Sequence, residues 1–329
     1  MNPRRVAVGL VALLALPLVA NGVAGLAELA WYGSLYRNGR PAALYPDDPG
    51  APRLLPGGEV DGLGLQVHVN AYGLRGPEPR DPKPATRIWV LGGSSTYDVH
   101  ATQDSQTWPA QLEARLGDQV EVLNGGRPGE VLMGSWDQLR AHHAALDPDV
   151  VLLYHGPNDI RQALKMQLGS HVELICDQDI LPPVDIALFR WVERLPQSAP
   201  PLPPEWSQRR LARWDDIERE LREVLRQTRA MGMRGVVVSH GLWSEDQEGM
   251  GIYAAHMGMG PEGIAQAYQD YNALTARVAL SEGAIFIDLA TMMPRREEMW
   301  GDPSHFSPTG SAEAGRLVAE SLRELGLVD

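Results

Sequence analysis

Five short apolar runs constrain the fold of this chain more than any other feature: RIWVLG at 87–92, VEVLN at 120–124, DVVLLYHG at 149–156, RGVVVSH at 234–240 and AIFIDL at 284–289. Between and after them lie amphipathic stretches at 107–116, 135–146, 206–231, 261–281 and 308–325. Strands that alternate with helices imply βαβ units, hence a parallel sheet with helices on both faces. The expected architecture is therefore α/β, a three-layer sandwich around a sheet of about five strands. At 329 residues and 44% hydrophobic content, the chain can bury a core of that size.

Three segments fall outside the alternation. The N-terminus opens with Arg4 and Arg5 and then runs apolar from Val6 to Ala27, broken only by Pro17 and Asn21. As a helix, at about 1.5 Å per residue, that run would reach roughly 33 Å and could cross a hydrocarbon core of about 30 Å. The basic flank precedes the run, so residues 1–33 are expected to form a single-pass transmembrane anchor, with Trp31 and Tyr32 at the interface and the remainder of the chain extracytoplasmic (periplasmic). Secretion after cleavage near Gly22-Val23-Ala24 is the alternative, although the run exceeds a usual signal-peptide core of about 7–15 residues. Residues 34–86 are rich in proline and glycine and read as a tether holding one short strand at 65–69. Residues 161–205, ending in LPQSAPPLPPEW, match no βαβ unit and read as a surface insertion within a domain spanning 87–329.

Charge and composition exclude several functions. The net charge is −13, with two lysines, Lys83 and Lys165, among 29 basic residues, so nucleic acid is not an expected partner. Cys176 is the only cysteine, which rules out an intrachain disulfide and a cysteine metal cluster. The nine histidines contain no HExxH spacing, and the adjacent His142 and His143 read as helix surface. No metal or cofactor is expected, and the sequence does not set an oligomeric state.

In an open parallel sheet, functional groups gather at the carboxyl ends of the strands. The segments there are LGGSSTYD after the first strand, NGGRPGE after the second, GPND after the third and DPSHFSPTG before the last helix. Gly92 and Gly93 allow a tight turn that exposes Ser94 at the start of the next element. GGSST lacks the lysine of a phosphate-binding loop, and Thr96 stands where a G-x-S-x-G elbow has its last glycine. Asp302 and His305, three apart in a turn framed by Pro303 and Pro308, could be an ordinary helix-capping turn or a base with its orienting carboxylate.

Together these four segments resemble the SGNH (GDSL-type) hydrolase family, in which separated blocks carry Ser, Gly, Asn and His. The resemblance spans about residues 87–325 and implies a flavodoxin-like α/β fold and a serine hydrolase acting on an O-acyl ester of a small molecule, glycan or lipid. On the matching positions it implies Ser94 as nucleophile, His305 as base, Asp302 as its orienter, and Ser94, Gly129 and Asn158 as oxyanion-hole donors. Two positions depart from the family pattern: Gly93 replaces the aspartate of GDSL, and Glu130 stands where aspartate is common. The GGSST form is similar to that of bacterial membrane-anchored members. Transfer of the acyl group to a cell-surface polysaccharide is the alternative reaction, and a non-catalytic carbohydrate-binding module is the alternative class. Asp159 is expected to cap a helix or brace its loop, Trp108 and Pro109 to open a helix, and His155 and His240 to be core or rim histidines at strand ends. The methionine-rich stretch 249–260 is expected to be a flexible loop.

Overall fold

The computed structural model describes residues 54–169 and 201–328, together with short stretches between 19 and 46. Two short antiparallel strands, β1 (Glu59–Asp61) and β2 (Gln66–His68), precede the main sheet. The main sheet is formed by β3 (Thr86–Gly92), β4 (Val120–Gly126), β5 (Val150–Tyr154), β6 (Arg234–Val238) and β7 (Ile285–Ile287). All five are parallel, in the order β4-β3-β5-β6-β7, so the chain steps to one side of β3 and then crosses to the other. The crevice at the carboxyl ends of β3 and β5, where that direction reverses, is the natural ligand position in such a sheet.

The central strands are apolar without alternation because both of their faces are covered. On β3, Ile88 and Val90 point into one core with Val122, Leu152 and Val236, while Trp89 and Leu91 point into the other with Leu123, Val151 and Val237. The first core is closed by α2 (Trp108–Leu116) and the C-terminal helix α8 (Pro308–Glu324). The second is closed by α3 (Leu132–Leu146), α4 (Pro157–Leu168), α5 (Trp214–Ala230), α6 (Gln247–Met257) and α7 (Pro261–Ser281). A one-turn helix, α1 (Ser94–Tyr97), follows β3 directly.

Four expectations meet a different structure or lie beyond it. From Leu54 onward, the proline- and glycine-rich stretch packs on the domain and does not stand off as a tether. Leu54, Val60, Val67 and Val69 bury against Tyr97, and the Arg75 amide pairs with the Asn124 carbonyl at the free edge of β4. The stretch expected to be a flexible loop at 249–260 is largely helix α6. Asp246 caps it by accepting from the amides of Glu248 and Gly249, and Met250, Tyr253, Ala254 and Met257 are buried. The insertion expected at 161–205 begins as the end of α4, whose Ala163 and Leu164 face the core, and its part from 170 to 200 lies outside the described residues. Most of the apolar run from Val6 to Ala27 also lies outside them; among the described residues no helix is long and apolar enough to cross a membrane.

Candidate active site

Four loops at the carboxyl ends of the strands converge. Ser94 begins α1 straight off β3, and its hydroxyl lies 2.8 Å from Nε2 of His305. Nδ1 of His305 faces both oxygens of Asp302, at 2.9 Å from Oδ1 and 2.7 Å from Oδ2. The backbone amides of Ser304 and His305 donate to Oδ1 at 2.8 and 3.0 Å, so the turn closes on its own carboxylate and fixes its orientation. Burial pushes the Asp302 carboxyl up. The hydrogen bonds from His100 and His305 and the His305 charge outweigh that and hold it well below the usual carboxylate range.

Ser94 is held in place from beneath. The Trp108 indole, fully buried at the start of α2, donates to the Ser95 carbonyl at 3.0 Å, and the Trp108 amide donates to the Asp98 carboxylate at 2.8 Å. Burial pushes the Asp98 carboxyl up to about 6. Ser95 points inward, 3.0 Å from Nε2 of His240 and 3.2 Å from the Ser304 carbonyl, which links the serine turn to the aspartate–histidine turn.

Asn158, in the first turn of α4, donates through Nδ2 to the Glu130 carbonyl at 3.0 Å and lies against Gly93. A Cβ at position 93 would sit 2.6 Å from that nitrogen, so a side chain here, such as the aspartate of the GDSL form, would need the Asn158 amide to shift. The other departure from the pattern is accommodated nearby. The Glu130 carboxylate pairs with Arg127 at 2.6 Å and covers Gly134, where a Cβ would lie 1.8 Å from Oε1. Gly129, exposed in this turn, has a φ of +81°, a conformation that favours glycine. The Arg127 amide ties the turn to the Gly92 carbonyl at 3.1 Å.

The expected site residues Ser94, Asn158, Asp302 and His305 are thus brought to one edge of the sheet, with Gly129 in the adjoining turn. Asp159 braces a neighbouring element: its carboxylate accepts from the Leu132 amide at 2.8 Å and so caps α3. His240 is buried beneath the site, and burial pushes its pKa down to about 3, which keeps it neutral. His155 is buried at the end of β5, 3.5 Å from Asp159. Sequence reading missed His100, whose Nε2 lies 2.9 Å from Oδ2 of Asp302, and Arg75, which shapes the loop that carries it. Both act across more than twenty residues of sequence, and no local pattern marks either of them. His100, Asp302 and His305 are the one group among the described residues whose donor atoms converge as metal ligands would, all within 4.8 Å of one another. The 2.7 and 2.9 Å separations are those of shared protons.

A hydroxyl, an imidazole and a carboxylate in hydrogen-bonded line can activate the hydroxyl for attack on a carbonyl. The arrangement lies at the carboxyl ends of the strands of a doubly wound sheet, where such sheets hold their ligands. The model of the GDSL-like lipase/acylhydrolase family matches residues 90–312. The chain belongs to that family, and it is an ester-hydrolysing enzyme. Solved structures similar to it include TesA, at 16% identity over 73% of this chain and 99% of that one, with a TM-score of 0.46. The lipase/acylhydrolase from Enterococcus faecalis is 15% identical over 74% of this chain and 97% of that one, also at 0.46. The psychrotrophic esterase EstA from a Pseudoalteromonas species is 12% identical over 73% and 98%, again at 0.46. No curated protein matches the chain in sequence.

Proposed function

We propose that the chain is a serine esterase or deacylase that removes an O-acyl group from a carbohydrate or lipid. Ser94 attacks the ester carbonyl while Nε2 of His305 takes its proton. Asp302 holds the His305 tautomer and stabilises the imidazolium, and the His305 proton then passes to the leaving alcohol. The backbone amides of Ser94 and Gly129, with the Asn158 side-chain amide, face the oxygen that becomes negative in the tetrahedral intermediate. Water then releases the acyl group from Ser94. The observation that carries this reading is the 2.8 Å approach of the Ser94 hydroxyl to a histidine whose other ring nitrogen is already held by a carboxylate.

A fluorophosphonate probe should label the protein at Ser94, and an acetyl ester should release acetate at a rate independent of added sugar. Acetate release that falls as an acetylated polysaccharide appears would replace hydrolysis by acyl transfer, since one acyl-enzyme serves both reactions. Absence of labelling and turnover in a folded protein would sink both. We further propose that the apolar run after Arg4 and Arg5 anchors the enzyme with its domain outside the cytoplasm. Alkaline phosphatase fused after Asp329 should then be active, and a fusion inactive as phosphatase yet stably expressed would reverse that topology.

A further inference from the structure

We propose that His100, held in place by Arg75, is a positioning residue for Asp302 and sets how much of that carboxylate is available to the His305 imidazolium. The inference rests on the roles of Ser94, His305 and Asp302 proposed above.

The Asp302 carboxylate serves two rings. Oδ1 takes the backbone amides of its own turn, and Oδ2 takes Nδ1 of His305 at 2.7 Å and Nε2 of His100 at 2.9 Å. The His100 ring has little freedom to leave. It lies on Gly301, where a Cβ would come 2.3 Å from its Cδ2, and stands edge-on to His305 with centroids 5.9 Å apart. Its loop is clamped on both sides. The guanidinium of Arg75, 3% exposed, donates to the carbonyls of Tyr97 at 2.9 Å, Asp98 at 3.0 Å and Ala101 at 2.9 Å, and to the Asp104 carboxylate at 2.9 Å. Arg75 precedes the segment that matches the family model, so a part of the chain outside that match reaches the Asp302 carboxylate through one loop.

Two effects follow from one carboxylate between two imidazoles. A His100 N–H on Oδ2 holds the carboxylate plane against rotation, so Oδ2 stays aimed at His305 when charge develops there. A protonated His100 also draws on the same negative charge, and two positive rings so close to one carboxylate repel. The charged and titratable groups facing His100 are Asp302 and His305 on the turn, Asp98 at the end of α1 and Arg75 beneath its loop. The hydrogen bond it donates to Asp302 holds the His100 pKa above its ordinary value. As the pH falls, a protonated His100 places a second positive charge on the Asp302 carboxylate, beside the ring that takes the Ser94 proton.

The test is kcat and KM for a soluble acetyl ester between about pH 5 and pH 9, with melting temperatures, for the wild type, His100→Gln, His100→Ala and Ser94→Ala. His100→Ala should lose roughly tenfold in kcat near pH 8 with KM little changed, as expected when a supporting hydrogen bond is removed. His100→Gln, whose amide N–H can donate to the same oxygen, should recover most of that loss. Both variants should move the acid limb of kcat/KM to higher pH by roughly half a unit or more, because neither carries the competing charge. Asp98 faces His100 and is pushed up to about 6, inside this window, so each comparison is repeated in an Asp98→Asn background. An unmoved acid limb, or a glutamine variant as slow as the alanine variant, overturns the proposal whatever the melting temperatures. Inactive Ser94→Ala beside wild-type behaviour of both His100 variants sinks this inference and leaves the proposed mechanism standing. An active Ser94→Ala removes both.

Discussion

Ser94→Ala should lower kcat by on the order of 10⁴- to 10⁶-fold and abolish fluorophosphonate labelling, because no other hydroxyl is placed to take over the attack. Its melting temperature should stay close to that of the wild type. The Ser94 hydroxyl is half-buried, with His305 as its side-chain partner, and one such bond contributes only about 0.5–1.5 kcal/mol. Ser95→Ala should show the opposite pattern. Neutral His240 donates from Nδ1 to the Gly241 carbonyl at 2.9 Å, so its Nε2 must accept, and the Ser95 hydroxyl at 3.0 Å is the donor facing it, its one proton shared with the Ser304 carbonyl at 3.2 Å. Removing it leaves a buried ring nitrogen unpaired, at a cost of about 1–3 kcal/mol, while labelling at Ser94 persists. Neighbouring serines are thereby separated by two readouts, rate for one and stability for the other. Labelling that survives in Ser94→Ala would move the nucleophile elsewhere.

The sheet was legible in the sequence because its strands are covered on both faces and read as unbroken apolar runs. Expected and observed ranges differ by a few residues at most, as for 149–156 against Val150–Tyr154. The residues that meet at the sheet edge were legible for a similar reason: each lies in a glycine- or proline-bearing turn placed by a strand end or a helix start. Helix α6 was hidden by Gly249 and Gly251, whose low helix propensity masks the stretch, and by its lack of a continuous polar face. Asp246 ahead of Glu248 was the signal that could have marked its start. The stretch 54–86 was misread because proline and glycine are equally compatible with a free tether and with backbone laid along a domain. What ties it down is the Arg75 guanidinium, whose partners lie 22 to 29 residues further along the chain. His100 meets Asp302 across 202 residues, a contact that only the folded sheet brings about.

Asp302→Asn should reduce kcat by on the order of 10³- to 10⁴-fold at nearly unchanged KM and melting temperature. The backbone amides of Ser304 and His305 point at Oδ1 and would keep the amide oxygen of the variant there, so the turn retains its shape. The amide NH₂ then takes the place of Oδ2, where it faces Nδ1 of His305 and Nε2 of His100. An NH₂ group can only donate. Facing that donor at the shorter of its two contacts, His305 is biased toward a lone pair at Nδ1 and a proton on Nε2, the nitrogen that faces Ser94. That tautomer cannot accept the serine proton, while the retained oxygen at 2.9 Å leaves a residual share of the competent one. The charge that stabilised the imidazolium is lost at the same time. Because the Asp302 carboxyl is held well below the usual range, it stays ionised throughout the working pH range, and lowering the pH within it should not reproduce the substitution in the wild type. His305→Ala should be more damaging still, with a rate close to that of Ser94→Ala, because it removes the base itself. Measuring kcat/KM against pH for both variants beside their melting curves separates the two roles this turn could have. If Asp302 only capped the turn, asparagine would replace it with wild-type turnover, whereas a folded and nearly inactive Asp302→Asn protein means that the carboxylate acts through the His305 ring on Ser94.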